Sequence, residues 1–221
     1  MYLFLQKFFK KNNIHREDIV TFLLEKGNNL LDIGCGSGSL ILKAKGKFDK
    51  LYGIDIDSDK IKEAKKIAKK NFPSNNSLHF FVFDVNKGIN FGDNFFDTVT
   101  MIAALAYIYD PFFIIKEINR VLKKNGIFIV QVSNIAYIKH RIRLLFGQLP
   151  ITTSPYNYKN WQNLGWDRGV LHYFTLNSLK WLLKLNGFKI EVVSGSGLFA
   201  GLRNWWPSFL CGDICIKARK L

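Results

Sequence analysis

The chain has 221 residues, of which 48% are hydrophobic and 15% aromatic, and its 32 Lys and Arg against 17 Asp and Glu give a formal charge of +15. This apolar fraction excludes a disordered or low-complexity chain, and the length favours one large α/β domain. Three cysteines without paired spacing argue against a disulfide framework and match no common zinc pattern, so we expect a reducing, cytoplasmic setting and no metal.

The first half of the chain alternates between short apolar runs and helical patterns. Residues 1–28 are expected to form an N-terminal helical segment. Asp57 or Ser58 then caps a lysine-rich helix, and Asp110-Pro111 opens another that runs to about Lys123. Five apolar runs predict buried strands at residues 30–33, 51–54, 78–83, 98–102 and 127–132. This alternation predicts a doubly wound, mostly parallel sheet.

The rhythm changes after residue 132. Residues 133–175 carry aromatic and polar side chains with little periodicity, and a connection this long predicts a substrate-binding or lid insertion. Thr175 then caps a helix, and two further strands at residues 188–193 and 214–218 predict an antiparallel hairpin. We therefore expect one domain with a cofactor-binding core at 29–132, the insertion at 133–175, and a C-terminal helix and strands at 176–221.

A glycine-rich turn lies where the first strand should lead into a helix. Gly34, Gly36 and Gly38 allow a sharp turn and a close approach of the backbone to a ligand. Asp55 ends the second strand, where a carboxylate can accept both hydroxyls of a ribose, and Asp84 ends the third, within reach of an adenine amine. The spacing Gly-x-Gly-x-Gly differs from the dinucleotide fingerprint Gly-x-Gly-x-x-Gly.

Five sequence blocks, in order, resemble the motifs of class I S-adenosylmethionine-dependent methyltransferases. The run LLDIGCGSG resembles motif I, YGIDID the second motif, and FDV the third. FFDTVT with YIYDP resembles the fourth-strand block, and EINRVLKKNG the block before strand five. These blocks stand at residues 30–38, 52–57, 83–85, 95–111 and 117–126. The resemblance implies a Rossmann-like sheet of seven strands and S-adenosylmethionine as cofactor.

The resemblance also implies roles for individual residues. Asp32 would lie near the cofactor's ammonium group, and the turn at Gly34, Cys35, Gly36 and Gly38 would hold its methionine portion. Asp55 would bind the ribose. Ile56, Asp84 and Val85 would surround the adenine. Ile102 would lie in the region that faces the methyl group. Cys35 is an ordinary occupant of such a turn, so no catalytic thiol is implied.

After strand four, relatives often carry a polar pair and then a histidine, whereas this chain has Ile102, Ala103 and Tyr107. A base from this loop is therefore in doubt, although Tyr107 remains a candidate at the site. The long connection supplies others, of which we favour His172. The remaining candidates there are His140, Asp167 and Tyr173, and each of them could instead serve packing alone. Tyr156, Tyr158, Trp161 and Trp166 could line an acceptor pocket or form a hydrophobic cluster.

These observations predict methyl transfer to a small-molecule acceptor, at oxygen, by direct displacement. RNA methylation and a non-catalytic cofactor-binding module remain alternatives, and a nicotinamide-dependent oxidoreductase is disfavoured by the glycine spacing. We interpret the lysine-rich helix as a solvated face, so nucleic acid is not an expected partner. The aromatic stretch 198–210 and the basic N-terminus could touch a membrane surface. Residues 141–150 and 172–175 slightly resemble the MetW group of methionine biosynthesis, but pieces between them are missing and that function is not adopted.

Overall fold

The structure, a computed structural model, describes residues 13–72, 77–152, 167, 169–198 and 203–221. Its centre is a seven-stranded sheet. The strands are β1 (Gly27–Ile33), β2 (Phe48–Asp55), β3 (Leu78–Val82), β4 (Phe96–Ile102), β5 (Leu122–Ser133), β6 (Phe188–Ser194) and β7 (Asp213–Lys220). They lie side by side in the order β3-β2-β1-β4-β5-β7-β6. Strands β1 to β5 pair in parallel, and β7 pairs antiparallel with both β5 and β6. The predicted fold class, including the antiparallel end, is confirmed.

Helices cover both faces of this sheet. They are α1 (Arg16–Leu23), α2 (Ser39–Ala44), α3 (Ser58–Asn71), α4 (Pro111–Val121), α5 (Ile138–Leu145), α6 (Leu176–Leu185) and α7 (Pro207–Leu210). One apolar core contains the buried sides of α1, α2 and α3, and the other contains those of α4 and α6. A short antiparallel pair, Asn13–Ile14 with Gly197–Leu198, stands apart from the main sheet.

The predicted helix starts are confirmed by their caps. The Asp57 carboxylate accepts hydrogen bonds from two backbone amides of the first turn of α3, and Asp110 does the same for α4. Thr175 forms a reciprocal capping box with Ser178 at the start of α6. Helix α3 buries Ile61 and exposes its lysines, as expected for a helix with one solvated face.

The junction of α4 with β5 and the presence of helix α5 differ from the sequence prediction. Helix α4 ends at Val121 rather than near Lys123, and β5 begins directly at Leu122. The strand register shifts there, and Asn125 has a φ of 61°, so a bulge rather than a helical turn joins the two elements. Helix α5, inside the long connection, was not predicted, because it spans only eight residues and no side chain caps its start. Tyr156, Tyr158, Trp161 and Trp166 lie outside the described residues.

Candidate active site

A cleft of about 330 Å³ opens at the carboxyl ends of β1, β2 and β4 and just beyond β3. Ligands of open parallel sheets bind at this edge, and the volume lies within the range of small-molecule sites. Seven of the residues singled out from the sequence line it: Gly34, Asp55, Ile56, Asp84, Val85, Ile102 and Tyr107. The strands therefore bring together residues that are up to 73 positions apart in the chain.

Of the predicted turn residues, Gly34 lines the cleft, whereas Cys35, Gly36 and Gly38 do not. Gly34 has a φ of +72°, and a Cβ there would stand 2.7 Å from the Cβ of Ala104. Gly36 has a φ of +51°, but a Cβ there would meet no heavy atom within 4 Å. Gly38, at +81°, is the N-cap of α2. Position 34 thus requires glycine for packing, whereas position 36 leaves open space beside its backbone.

Asp55, at the end of β2, is oriented by two backbone amides. Its Oδ2 accepts from the Gly36 N–H at 2.8 Å, and its Oδ1 accepts from the Asp57 N–H at 2.9 Å. A carboxylate offers about four acceptor positions, so these two bonds leave capacity on each oxygen. The carboxylate is therefore positioned between the glycine turn and the cleft and can still accept two hydroxyl groups.

Asp84 follows β3 and is held by Asn86. The Asn86 backbone N–H and side-chain Nδ2 both donate to Asp84 Oδ1, at 3.0 and 2.9 Å. The Asn86 Oδ1 in turn accepts from the Tyr109 N–H at 2.9 Å, which fixes the amide orientation. Beside it, Val85 is buried, and Ile56 is exposed over 67% of its surface while it lines the cleft. Asn86 was not predicted as a site residue, because its role depends on the contact between the loop after β3 and the loop after β4.

Asp32 is buried within β1, next to β4. The Thr100 hydroxyl donates to Asp32 Oδ1 at 2.7 Å. Burial raises the pKa of Asp32 to about 7, because desolvation outweighs the Thr100 hydrogen bond and is reinforced by the charges of Glu17 and Asp55. A cation placed near this carboxylate would favour its ionised form.

The Cys35 thiol points away from the cleft. A Cβ on Gly53 would stand 2.8 Å from the Cys35 Sγ, which places the sulfur against β2 inside the core. Burial raises the pKa of this thiol far above its ordinary value, and the charges of Asp32 and Asp55 add to the effect. The thiol is therefore protonated and inert, and the backbone is the part of Cys35 that belongs to the turn.

The two favoured catalytic candidates, Tyr107 and His172, meet at the loop that follows β4. Tyr107 ends a short 3₁₀ turn, Leu105–Tyr107, and lines the cleft with 43% of its surface exposed. His172 is not among the cleft-lining residues. Its backbone N–H donates to the Ala106 carbonyl at 3.2 Å, and its Nε2 lies 3.2 Å from the Tyr109 carbonyl oxygen.

The other candidates gather further along the sheet edge. The buried Asp167 carboxylate accepts from the Thr152 N–H at 2.7 Å and from its hydroxyl at 2.5 Å. Burial and this carboxylate together raise the pKa of Tyr173. Burial also lowers the pKa of His140, despite the opposing charge of Asp167. None of the three lines the cleft, so they form a separate polar cluster.

Comparison with known proteins gives the family. A family profile described as a methyltransferase domain matches residues 24–165. A demethylmenaquinone methyltransferase of Staphylococcus carnosus is 26% identical over 203 residues, covering 88% of this chain and 82% of that protein. A ubiquinone biosynthesis O-methyltransferase of Pelagibacter ubique is 26% identical over 171 residues, covering 77% of this chain and 69% of that protein.

A solved structure shows the same fold. The S-adenosylmethionine-dependent methyltransferase structure from Methanosarcina mazei superposes with a TM-score of 0.65 at 24% sequence identity, over 95% of this chain and 99% of that one. The sheet order, the glycine turn and the acids at the strand ends define a class I methyltransferase fold. The chain belongs to the methyltransferase-domain family, since the profile covers more than half of it. It is an S-adenosylmethionine-dependent methyltransferase.

Proposed function

We propose that this enzyme methylates a small molecule with a quinone-type ring, in its reduced form, at an oxygen atom. The observation that carries the proposal is the apolar end of the cleft, formed by Ile102, Ala103, Ala104 and the Tyr107 ring. Such a lining favours a flat, weakly polar ring over a charged acceptor. The names of both curated relatives contain a quinone, and one of them is an O-methyltransferase.

The residues of the cleft fit the cofactor. We propose that Asp55 accepts the two ribose hydroxyls with its remaining lone pairs, and that Asp84 accepts from the adenine amine while Ile56 lies against the ring. The open space beside Gly36 would take the methionine portion, with Asp32 near its ammonium group. When bound, S-adenosylmethionine supplies a methyl group on a sulfonium centre, so the acceptor needs only an aligned electron pair and exclusion of water.

A ring hydroxyl must also lose a proton; we propose that the His172 imidazole accepts this proton and that the Tyr107 hydroxyl forms a hydrogen bond to the acceptor oxygen. The Tyr109 carbonyl can only accept a hydrogen bond, so it favours the His172 tautomer that carries its proton on Nε2. Nδ1 is then the basic nitrogen. Tyr107 lines the cleft and lies one residue beyond Ala106, whose carbonyl binds the His172 amide. Because His172 does not line the cleft, the proposal requires this loop to move when the acceptor binds.

The proposal extends to the setting of the enzyme. All three thiols, Cys35, Cys211 and Cys215, are free and buried, in keeping with the cytoplasmic location we propose. Within the described ranges, no helix has the length and apolar character needed to cross a bilayer. We propose peripheral contact with a membrane, supported by the exposure of Trp205 and Trp206, and no nucleic-acid partner.

A transfer assay tests the acceptor class. The purified enzyme is incubated with S-adenosylmethionine and, in separate reactions, a reduced short-chain 1,4-naphthoquinol, a catechol and bulk transfer RNA, and products are identified by mass. We expect methylated ring product at oxygen, with loss of rate in His172→Ala and in Tyr107→Phe. Methylation of the RNA alone would contradict the proposal. Cofactor binding without transfer to either ring compound would favour a non-catalytic module instead.

A further inference from the structure

Helix α5 leaves its apolar side chains in solvent. None of its eight residues is buried. Leu145, its last residue, is 80% exposed, and the following Phe146 is 73% exposed; Ile142, Leu144 and Leu149 are each about half exposed. Exposed apolar residues scattered singly are normal in proteins, but five within eight positions form a contiguous patch that marks an interaction site.

A second segment extends this patch. Just before α7, Trp205 is 85% exposed and Trp206 is 51% exposed. The Trp206 ring stacks on Phe209 at 4.7 Å between centroids, and the Arg141 guanidinium of α5 lies 5.4 Å from the Phe209 ring. The contact between Arg141 and Phe209, which are 68 positions apart in sequence, joins the two segments into one surface. We call it the α5–α7 surface: residues 138–149 with residues 203–209.

The charge of the α5–α7 surface is uniformly positive. Lys139, Arg141 and Arg143 belong to α5, and the Arg203 guanidinium lies 6.0 Å from the centre of the Tyr137 ring. Neither segment contains an Asp or a Glu. Exposed aromatic and aliphatic side chains surrounded by cations match the interface of a bilayer that carries anionic lipids, where Trp lies at the headgroups and Lys and Arg meet the phosphates.

Two other occupants fit less well. A second copy of the chain would bring four cations against four cations, which opposes association. A nucleic acid would satisfy the cations, but the aliphatic side chains Ile142, Leu144 and Leu145 can neither stack on bases nor donate hydrogen bonds to them. A bilayer satisfies the cations and the aliphatic side chains together.

We propose that the α5–α7 surface docks the enzyme on anionic membranes, with Leu145, Phe146 and Trp205 inserted at the interface. The surface is connected to the cleft: Asn134, four residues before α5, bridges to Phe174, and the Ile135 N–H donates to the Phe174 carbonyl at 3.0 Å. His172 lies two residues from that bridge. Docking would therefore hold the loop beside the cleft close to the lipid, where an apolar acceptor of the proposed class dissolves. This reason for docking, access to an acceptor dissolved in the lipid, rests on the proposed function.

Vesicle sedimentation tests the surface without any turnover. The full chain is mixed with vesicles of phosphatidylcholine alone or of phosphatidylcholine with 30% phosphatidylglycerol (about three lipids in ten anionic), at low and at high salt. We expect binding to the anionic vesicles that weakens in high salt. Lys139→Ala should weaken it by about fivefold, the effect of one cation near an anionic surface. Lys184→Ala, an exposed lysine near the end of α6, is the matched control and should change nothing.

A second pair of variants tests the apolar part. Leu145→Ser combined with Phe146→Ser should abolish sedimentation with vesicles. Leu185→Ser, at the last residue of α6 and 58% exposed, should not. Equal binding of the double variant and wild type, or no binding of wild type to anionic vesicles, would overturn the inference, as would self-association of the wild type that the double variant loses.

The outcome for the surface is separable from that for the active site. S-adenosylmethionine affinity, measured by calorimetry, should be the same in the double variant and in wild type, which also shows that the variant is folded. Lipid binding without methylation of any ring compound would count against the proposed acceptor but would still support membrane docking by the α5–α7 surface. Methylation of a soluble naphthoquinol without lipid binding would refute membrane docking by the α5–α7 surface and leave the proposed acceptor standing.

Discussion

The raised pKa of Asp32 predicts that cofactor affinity depends on pH. In the ligand-free protein burial raises this pKa to about 7, against an ordinary value of 3.8. At pH 6 only about one molecule in ten then carries the ionised carboxylate that an ammonium group would bind. Because apparent affinity scales with the competent fraction, the dissociation constant of S-adenosylmethionine should be about eightfold larger at pH 6 than at pH 7.5.

Calorimetric titrations at half-unit pH intervals measure this slope. Methylthioadenosine, which has the adenosine and the thioether but no ammonium group, is the matched ligand and should bind with little pH dependence. The variant Asp32→Asn keeps a hydrogen-bond acceptor for Thr100 and should bind S-adenosylmethionine weakly at every pH. A pH-independent dissociation constant in wild type, or an unchanged slope in Asp32→Asn, would refute the reasoning.

The same pKa makes a prediction about stability. The folded ligand-free protein holds a proton on Asp32 between about pH 4 and pH 7 that the unfolded chain has lost, so this residue's contribution to stability falls as the pH rises through that window. Asp32→Asn removes the buried charge. We therefore expect its melting temperature to exceed that of wild type at pH 8 and to approach it near pH 4. A variant less stable than wild type at pH 8 would contradict this sign.

Three further changes separate binding from folding. Gly36→Ala should weaken S-adenosylmethionine binding by about tenfold or more, because its Cβ enters the open space beside the turn. Gly46→Ala is the control, since Gly46 also has a positive φ and no neighbour within 4 Å. It carries the same backbone cost of about 1 kcal/mol and should leave the affinity unchanged in the same titration. Gln131→Met should raise the free energy of unfolding by about 1 kcal/mol in urea, because neither end of this buried amide has a partner among the residues described; a loss of stability would show that the amide is satisfied. Asp97→Asn should lower the free energy of unfolding by about 1–3 kcal/mol at pH 7. Burial opposes ionisation, yet the Lys123 ammonium and two backbone amides hold the pKa of Asp97 below its ordinary value. The difference in stability from wild type should therefore vanish as the pH falls through that pKa.

Much of the fold follows from the sequence because its signals are local. An Asp before the first turn of α3 and of α4 binds the free amides there, wherever the helix packs. The cleft follows as well, since carboxyl ends of parallel strands share one edge and bring Asp55 and Asp84 together.

The parts that could not be predicted depend on pairings between distant segments. The Asp32–Thr100 bond exists because β1 and β4 pair in the register that sets these two residues opposite each other. No local pattern gives that register. The position of His172 likewise depends on a long-range contact, in which the backbone amides of Leu171 and His172 both donate to the Ala106 carbonyl. Helix α5 was missed for a different reason, because it is short and no side chain caps its start.

The central claim is that the glycine turn and Asp55 form the S-adenosylmethionine site, and one calorimetric comparison tests it directly. S-adenosylmethionine and NAD are titrated into wild type, into Asp55→Ala, and into Asp49→Ala, which removes an exposed carboxylate from the opposite end of the same strand. We predict that wild type and Asp49→Ala bind S-adenosylmethionine alike and that Asp55→Ala loses at least about tenfold in affinity, since a charged hydrogen bond contributes about 1.5–3 kcal/mol. Binding of NAD alone, or equal affinity of Asp55→Ala and wild type for S-adenosylmethionine, would contradict the account.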